Sequence, residues 1–96
     1  MYIDALGNKI IKGNYYGYSK NDKGSVRIRV GYIEKFYEDE KNMVIMKVLF
    51  YDNVVSNGEV KLKNYKGRNI RIKSNQLFVV DSLEIDKLRK KIKDGE

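Results

Sequence analysis

Apolar and polar positions alternate with a period of two through most of the chain. Val26-Arg27-Ile28-Arg29-Val30 sets aliphatic residues on one side and arginines on the other, the pattern of a half-buried strand. After Gly31 the apolar phase slips to Ile33 and Phe36, and a glycine at such a slip predicts a bulge or sharp bend. Glu38-Asp39-Glu40-Lys41-Asn42 reads as a polar turn. Met43 to Tyr51 is apolar except at Lys47, which predicts a central strand covered on both faces. Asp52-Asn53 and Ser56-Asn57-Gly58 carry turn chemistry. Val60-Lys61-Leu62-Lys63 and Asn69-Ile70-Arg71-Ile72-Lys73 alternate again. They flank Asn64-Tyr65-Lys66-Gly67, a short turn in which the glycine is expected at positive φ. Ser74-Asn75-Gln76 breaks the pattern before a last short strand, Leu77 to Val80.

The period then changes to that of a helix. Asp81 with Glu84 three residues on forms a capping-box-like start, and Ile85, Leu88 and Ile92 fall on one stripe. Lys90, Lys91 and Lys93 near the end suit the helix dipole and read as a solvated helix terminus. Five or six short antiparallel strands with tight turns predict a mostly β domain, a small bent barrel over residues 1–80. A C-terminal α-helix over 81–96 packs on it. The expected core is Ile28, Val30, Val44, Met46, Val48, Leu62, Ile70, Ile72, Leu77 and Val79.

Composition narrows the chemistry. The 96 residues, one domain's worth, include no cysteine and no histidine. Disulfides, thiol nucleophiles and histidine-based acid–base or metal chemistry are therefore unavailable. The expectation is a protein that is not an enzyme and holds no cofactor and no metal. Glu38-Asp39-Glu40 lacks the spacing and glycine of a calcium loop. The polar loop Ser19–Ser25, with Lys20, Lys23 and Gly24, lacks the glycine density and helix of a phosphate-binding loop. No apolar run approaches the length of a membrane span and the N-terminus has no signal-peptide pattern, so a cytoplasmic location without a membrane partner is expected.

The opening residues carry a motif, Asp4-x-x-Gly7-x-x-Ile10-x-x-Gly13, followed by the aromatic-rich Tyr15-Tyr16-Gly17-Tyr18. This resembles the start of the small β-barrel of YopX-like proteins of phages and prophages. Those proteins usually place an aspartate after the second glycine, where this chain has Asn14; their later Gly-x-Val strand resembles Gly31-Tyr32-Ile33. The C-terminal part is similar to an SH3-type barrel, in which a polar turn such as Ser74-Asn75-Gln76 precedes the final strand. The aromatics of a proline-rich peptide groove are absent. The resemblance implies an SH3-like fold and a phage or mobile-element accessory protein, acting in the host cytoplasm, and it implies no particular activity.

The formal net charge is +7. Lysine outnumbers arginine fifteen to five, as A/T-rich codons alone would produce, so the distribution of charge has to decide its meaning. From Asp81 onward acids and bases balance, whereas from Val60 to Val80 there are six basic residues and no acidic one. Alternation puts Lys61 with Lys63, Arg71 with Lys73, and Arg27 with Arg29 on the outward sides of three strands. If those strands are neighbours, they form one basic sheet face, with Tyr65, Lys66 and Arg68 in the connecting turn. Tyr16 is expected to face outward, because Tyr15 and Gly17 share the other side. Cationic side chains interleaved with aromatics track phosphates and stack bases. The leading expectation is a nucleic-acid-binding module using these residues. A phage-encoded inhibitor of a host or defence protein, and a protein that sequesters a small nucleotide, are the alternatives.

Overall fold

The computed structural model describes residues 2–22, 25–38, 41–52 and 61–95. The alternating segments form six strands, β1 (Tyr15–Asp22), β2 (Ser25–Phe36), β3 (Met43–Asp52), β4 (Lys63–Asn64), β5 (Ile70–Lys73) and β6 (Phe78–Val80). A 3-10 turn occupies Ser74–Gln76, and α1 (Ser82–Gly95) follows β6. The protein is mostly β, all pairings are antiparallel, and the hydrogen-bonded path β4-β3-β2-β1-β6 is an open sheet with β5 also paired to β3. Among the described residues no helix is long and apolar enough to cross a membrane. Several expectations lie outside the described residues: the turns at Asn53 and Ser56–Gly58, the strand start at Val60, the loop residues Lys23 and Gly24, and the acids Asp39 and Glu40.

The predicted irregularity at Gly31 organises the sheet. Val30 lies opposite Phe50 but Gly31 lies opposite Val48, so Leu49 is left over as a bulge. A Cβ on Gly31 would sit 2.0 Å from the Lys47 carbonyl oxygen, so only glycine lets the two backbones approach this closely. A second shift falls between Ile33 and Lys35. Directly opposed residues in an antiparallel ladder share a face, and the bulges change which face the apolar residues occupy. On one face Tyr16, Ile33, Val44, Met46 and Ile72 join Ile10 and Leu77 in the first core cluster. On the other, Val30 and Phe50 join Ile85 of α1 in a second, with Tyr15, Ile28, Leu62, Val80, Leu88 and Ile92 packed around it. We call these the core face and the helix face.

The helix docks as its stripe predicts. Asp81 accepts the Leu83 N–H on its carboxylate at 2.8 Å and the Glu84 N–H on its carbonyl at 3.0 Å. Glu84 turns forward to pair with Lys87 at 3.4 Å. Ile85 is fully buried, while Leu88 and Ile92 are half-buried.

The N-terminal motif closes the core face. The buried Asp4 accepts the N–H groups of Leu6 and Asn8 on one carboxylate oxygen, each at 2.9 Å, and Gly7 turns the chain at φ 86°. This loop drops Ile10 into the core, and Gly13, at φ 89°, donates to the Ile33 carbonyl at 3.0 Å. Tyr2 pins the segment from outside, stacking on Phe36 at 4.7 Å and donating to the Tyr37 carbonyl at 2.6 Å.

Of the expected core, Val30, Val44, Met46, Val48, Ile72 and Leu77 are buried, and Ile28, Leu62 and Ile70 are half-buried. Val79 is 55% exposed, because β6 is the edge of the sheet and leaves it uncovered. Two further expectations differ. The strands flanking the Asn64–Gly67 turn are not neighbours in the ladder: β4 pairs with Phe50 and Tyr51, β5 with Met43 to Met46, end to end along one edge of β3. Gly67 is not at positive φ; the ring of Tyr65 lies where its Cβ would be.

Two substitutions test this account. Gly31→Ala should destabilise by roughly 2–4 kcal/mol or prevent folding, since the contact it violates is with backbone and not with a movable side chain. Ile85→Ala should cost about 2–5 kcal/mol in urea titration, and an unchanged midpoint would mean that α1 does not dock.

Candidate nucleic-acid interface

Beyond the end of the first core cluster, the core face carries polar and aromatic residues in place of aliphatic ones. Register sets them in a row. Tyr18 of β1 lies opposite Arg29 of β2, Arg29 opposite Tyr51 of β3, and Tyr51 opposite Lys63 of β4. Four strands at about 4.8 Å spacing make this row roughly 14 Å long. The next row outward pairs Lys20 with Arg27.

Arg29 is the centre. Its guanidinium lies over the Tyr51 ring at 5.4 Å and the Tyr65 ring at 5.7 Å, and the two rings meet edge to face at 5.5 Å. Its Nη1 also donates to the carbonyls of Ile28 at 3.0 Å and Asp52 at 3.4 Å. The charge is thus held in place by two aromatic faces and two carbonyls. Tyr65 is fixed by its N–H, which donates to the Leu49 carbonyl at 2.8 Å, and by the space that Gly67 leaves for its ring. A groove of about 340 Å³ opens here, lined by Arg29, Tyr51, Asn64, Tyr65, Lys66 and Gly67. None of these is acidic.

Tyr18 closes the other end of the row, half-buried against the first cluster. Burial pushes its phenol above the ordinary value of 10.0; Arg29 opposes the rise, Tyr65 adds to it, and Arg27 opposes it. At neutral pH Tyr18 therefore presents an O–H donor, and the row offers donors and cations without an anion of its own.

The structure divides the residues expected to act together. Arg27, Arg29, Lys63, Tyr65 and Lys66 share the core face or its rim. Lys61 is exposed, and its N–H donates to the Asp52 carboxylate at 2.8 Å. Arg68 is exposed on the segment between β4 and β5. Arg71 and Lys73 are on the opposite face, because Ile72 between them enters the first core cluster. Arg71 covers the Tyr37 ring there at 4.8 Å and lies opposite Ile45, roughly 20 Å along β3 from Lys63. Tyr16 faces inward, 2% exposed, with its hydroxyl accepting the Ile11 N–H at 3.0 Å. In the regular β1–β2 ladder Tyr16 lies opposite Gly31, on the face that Ile10, Ile33 and Leu77 cover. Tyr18 and Tyr51 join the row without having been expected there, and Lys20, expected in a polar loop, is on β1; two-residue spacing from the buried Tyr16 is the signal that would have found Tyr18.

No group of three or more metal-ligating side chains occurs among the described residues. Comparison with protein-family models, with curated proteins and with solved structures finds no match to this chain.

The raised phenol gives a spectroscopic check. The difference in phenolate absorbance between the wild type and Tyr18→Phe should have its midpoint above pH 10. Because the folded phenol holds its proton more tightly than the unfolded one, its contribution to stability is complete below the unfolded value and is lost as pH rises through the folded value. A midpoint at or below 10 would contradict the burial of Tyr18.

Proposed function

We propose that this chain is a non-enzymatic nucleic-acid-binding module, an accessory protein of phage or mobile-element type. The observation that carries the reading is Arg29 held between Tyr51 and Tyr65, in line with Lys63 and beside a groove whose described lining holds no acid. A fixed guanidinium and lysines spaced along a strand row suit successive phosphates, and half-exposed tyrosine faces suit bases. The YopX-like opening motif supports the suggested origin; its Asp4, Gly7, Ile10 and Gly13 do structural work in closing the core and leave the opposite end of that face to the site.

The two faces make the test internal. Fluorescence anisotropy with short oligonucleotides at about 50 and 200 mM salt should show affinity falling with a log-log slope of about −0.7 to −0.9 per phosphate contacted. Lys63→Glu combined with Lys66→Glu should weaken binding about tenfold or more on all sequences alike, since backbone contacts do not read bases. Arg71→Glu with Lys73→Glu, on the other face, should change it far less. Circular dichroism should be the same for all three proteins. Absence of binding even at low salt would overturn this reading and favour a protein inhibitor; equal losses from both pairs would mean that binding is not centred on the Arg29–Lys63 row.

A further inference from the structure

A second groove, of about 560 Å³, lies between β3 and α1. It is lined in part by Lys47, Lys66, Arg89 and Lys93 over an apolar floor that includes Leu49 and Ile92, and its described lining contains no acid. The helix presents these cations for a geometric reason. Leu88 and Ile92 belong to the docking stripe, and Arg89 and Lys93 follow each of them by one position, on the stripe's rim. Lys47 comes from the helix face of β3, opposite Tyr32. The two grooves share Asn64, Tyr65 and Lys66, so this segment is a ridge with a cationic groove on either side.

We infer that the interface crosses the Asn64–Lys66 ridge into the helix groove and takes a single strand laid over it, with phosphates reaching Arg29 and Lys63 on one side and Lys47, Arg89 and Lys93 on the other. This rests on the nucleic-acid reading. A duplex is stiff over many tens of base pairs and keeps its base faces stacked inside, so it cannot fold over a ridge three residues wide or offer bases to Tyr51 and Tyr65. A single strand can do both. Charge supplies the second argument. Among the described residues no ion pair involves Lys47, Lys66, Arg89 or Lys93, whereas Lys87 on the same helix is paired with Glu84. The cations of the α1 rim are therefore part of a binding surface as well as a complement to the helix dipole.

The test crosses strand length with groove. Anisotropy is measured with oligothymidylates of about 4 and about 12 nucleotides, both within the roughly 4–16-nucleotide range of single-strand site sizes for small β modules, and with a 12-base-pair duplex. Arg89→Gln with Lys93→Gln should weaken binding of the longer strand about fivefold or more and make its salt slope shallower by about 1.4, two contacts at roughly 0.7 each. The loss should be smaller on the shorter strand, and the duplex should bind more weakly than the long single strand. If the α1 variant melts at a lower temperature than wild type, Lys47→Gln probes the same groove from the sheet. Wild-type affinity for the long strand that both groove variants leave intact, while Lys63→Gln lowers it, would overturn the crossing and leave the proposed function standing. Duplex bound as tightly as single strand would overturn the crossing as well. No binding of any oligonucleotide would overturn both.

Discussion

The close approach of β2 and β3 at Gly31 and Lys47 is the constraint on which the rest of the structure depends. Without a side chain at Gly31 the two backbones pass within a distance that any Cβ would block. The neighbouring bulge at Leu49 then reverses which side of the sheet the apolar residues occupy. On one side of the bulge Ile33 and Met46 turn towards Ile10 and Leu77; on the other, Val30 and Phe50 turn towards α1. One pair of long strands thereby supplies two hydrophobic clusters, and a chain of this size gains burial on both faces of a single sheet.

The same reversal creates the surface proposed to bind. Past the bulge, the positions that would continue the first core are Arg29 and Tyr51, and the aliphatic residues have moved to the helix face. Arginine is tolerated there because its guanidinium finds two rings and two carbonyls. Cation–π contacts of this kind are worth about 0.5–2 kcal/mol each, depending on desolvation. Their larger consequence is order: a side chain already held in one orientation loses less freedom when a phosphate arrives.

Much of the fold was legible because its signals are local. The slip at Gly31, the break at Ser74–Gln76, the Asp81 cap and the Ile85 stripe each announce themselves within a few residues. The site was legible in its residue types and less so in its arrangement. Lys63 and Arg71 are close in sequence, and neighbouring strands usually pair with each other, which made a common face the natural expectation. Instead β3, ten residues long, offers an edge long enough for both β4 and β5. Tyr16 was misplaced for a related reason. Alternation says which residues of β1 share a side but not which side is covered, and that is decided by Ile10, Ile33 and Leu77, distant in sequence, which pack on the side of Tyr16.

The chain contains eight tyrosines and no tryptophan, so phenols dominate its ultraviolet emission. Two of those phenols, Tyr51 and Tyr65, face the same arginine and are near enough to exchange excitation energy. Bases stacked on them would quench their emission, while Tyr16 and Tyr2, locked into the opposite end of the core face, would keep theirs. The molecule thus carries an unlabelled optical reporter at its candidate site and an internal reference beside it.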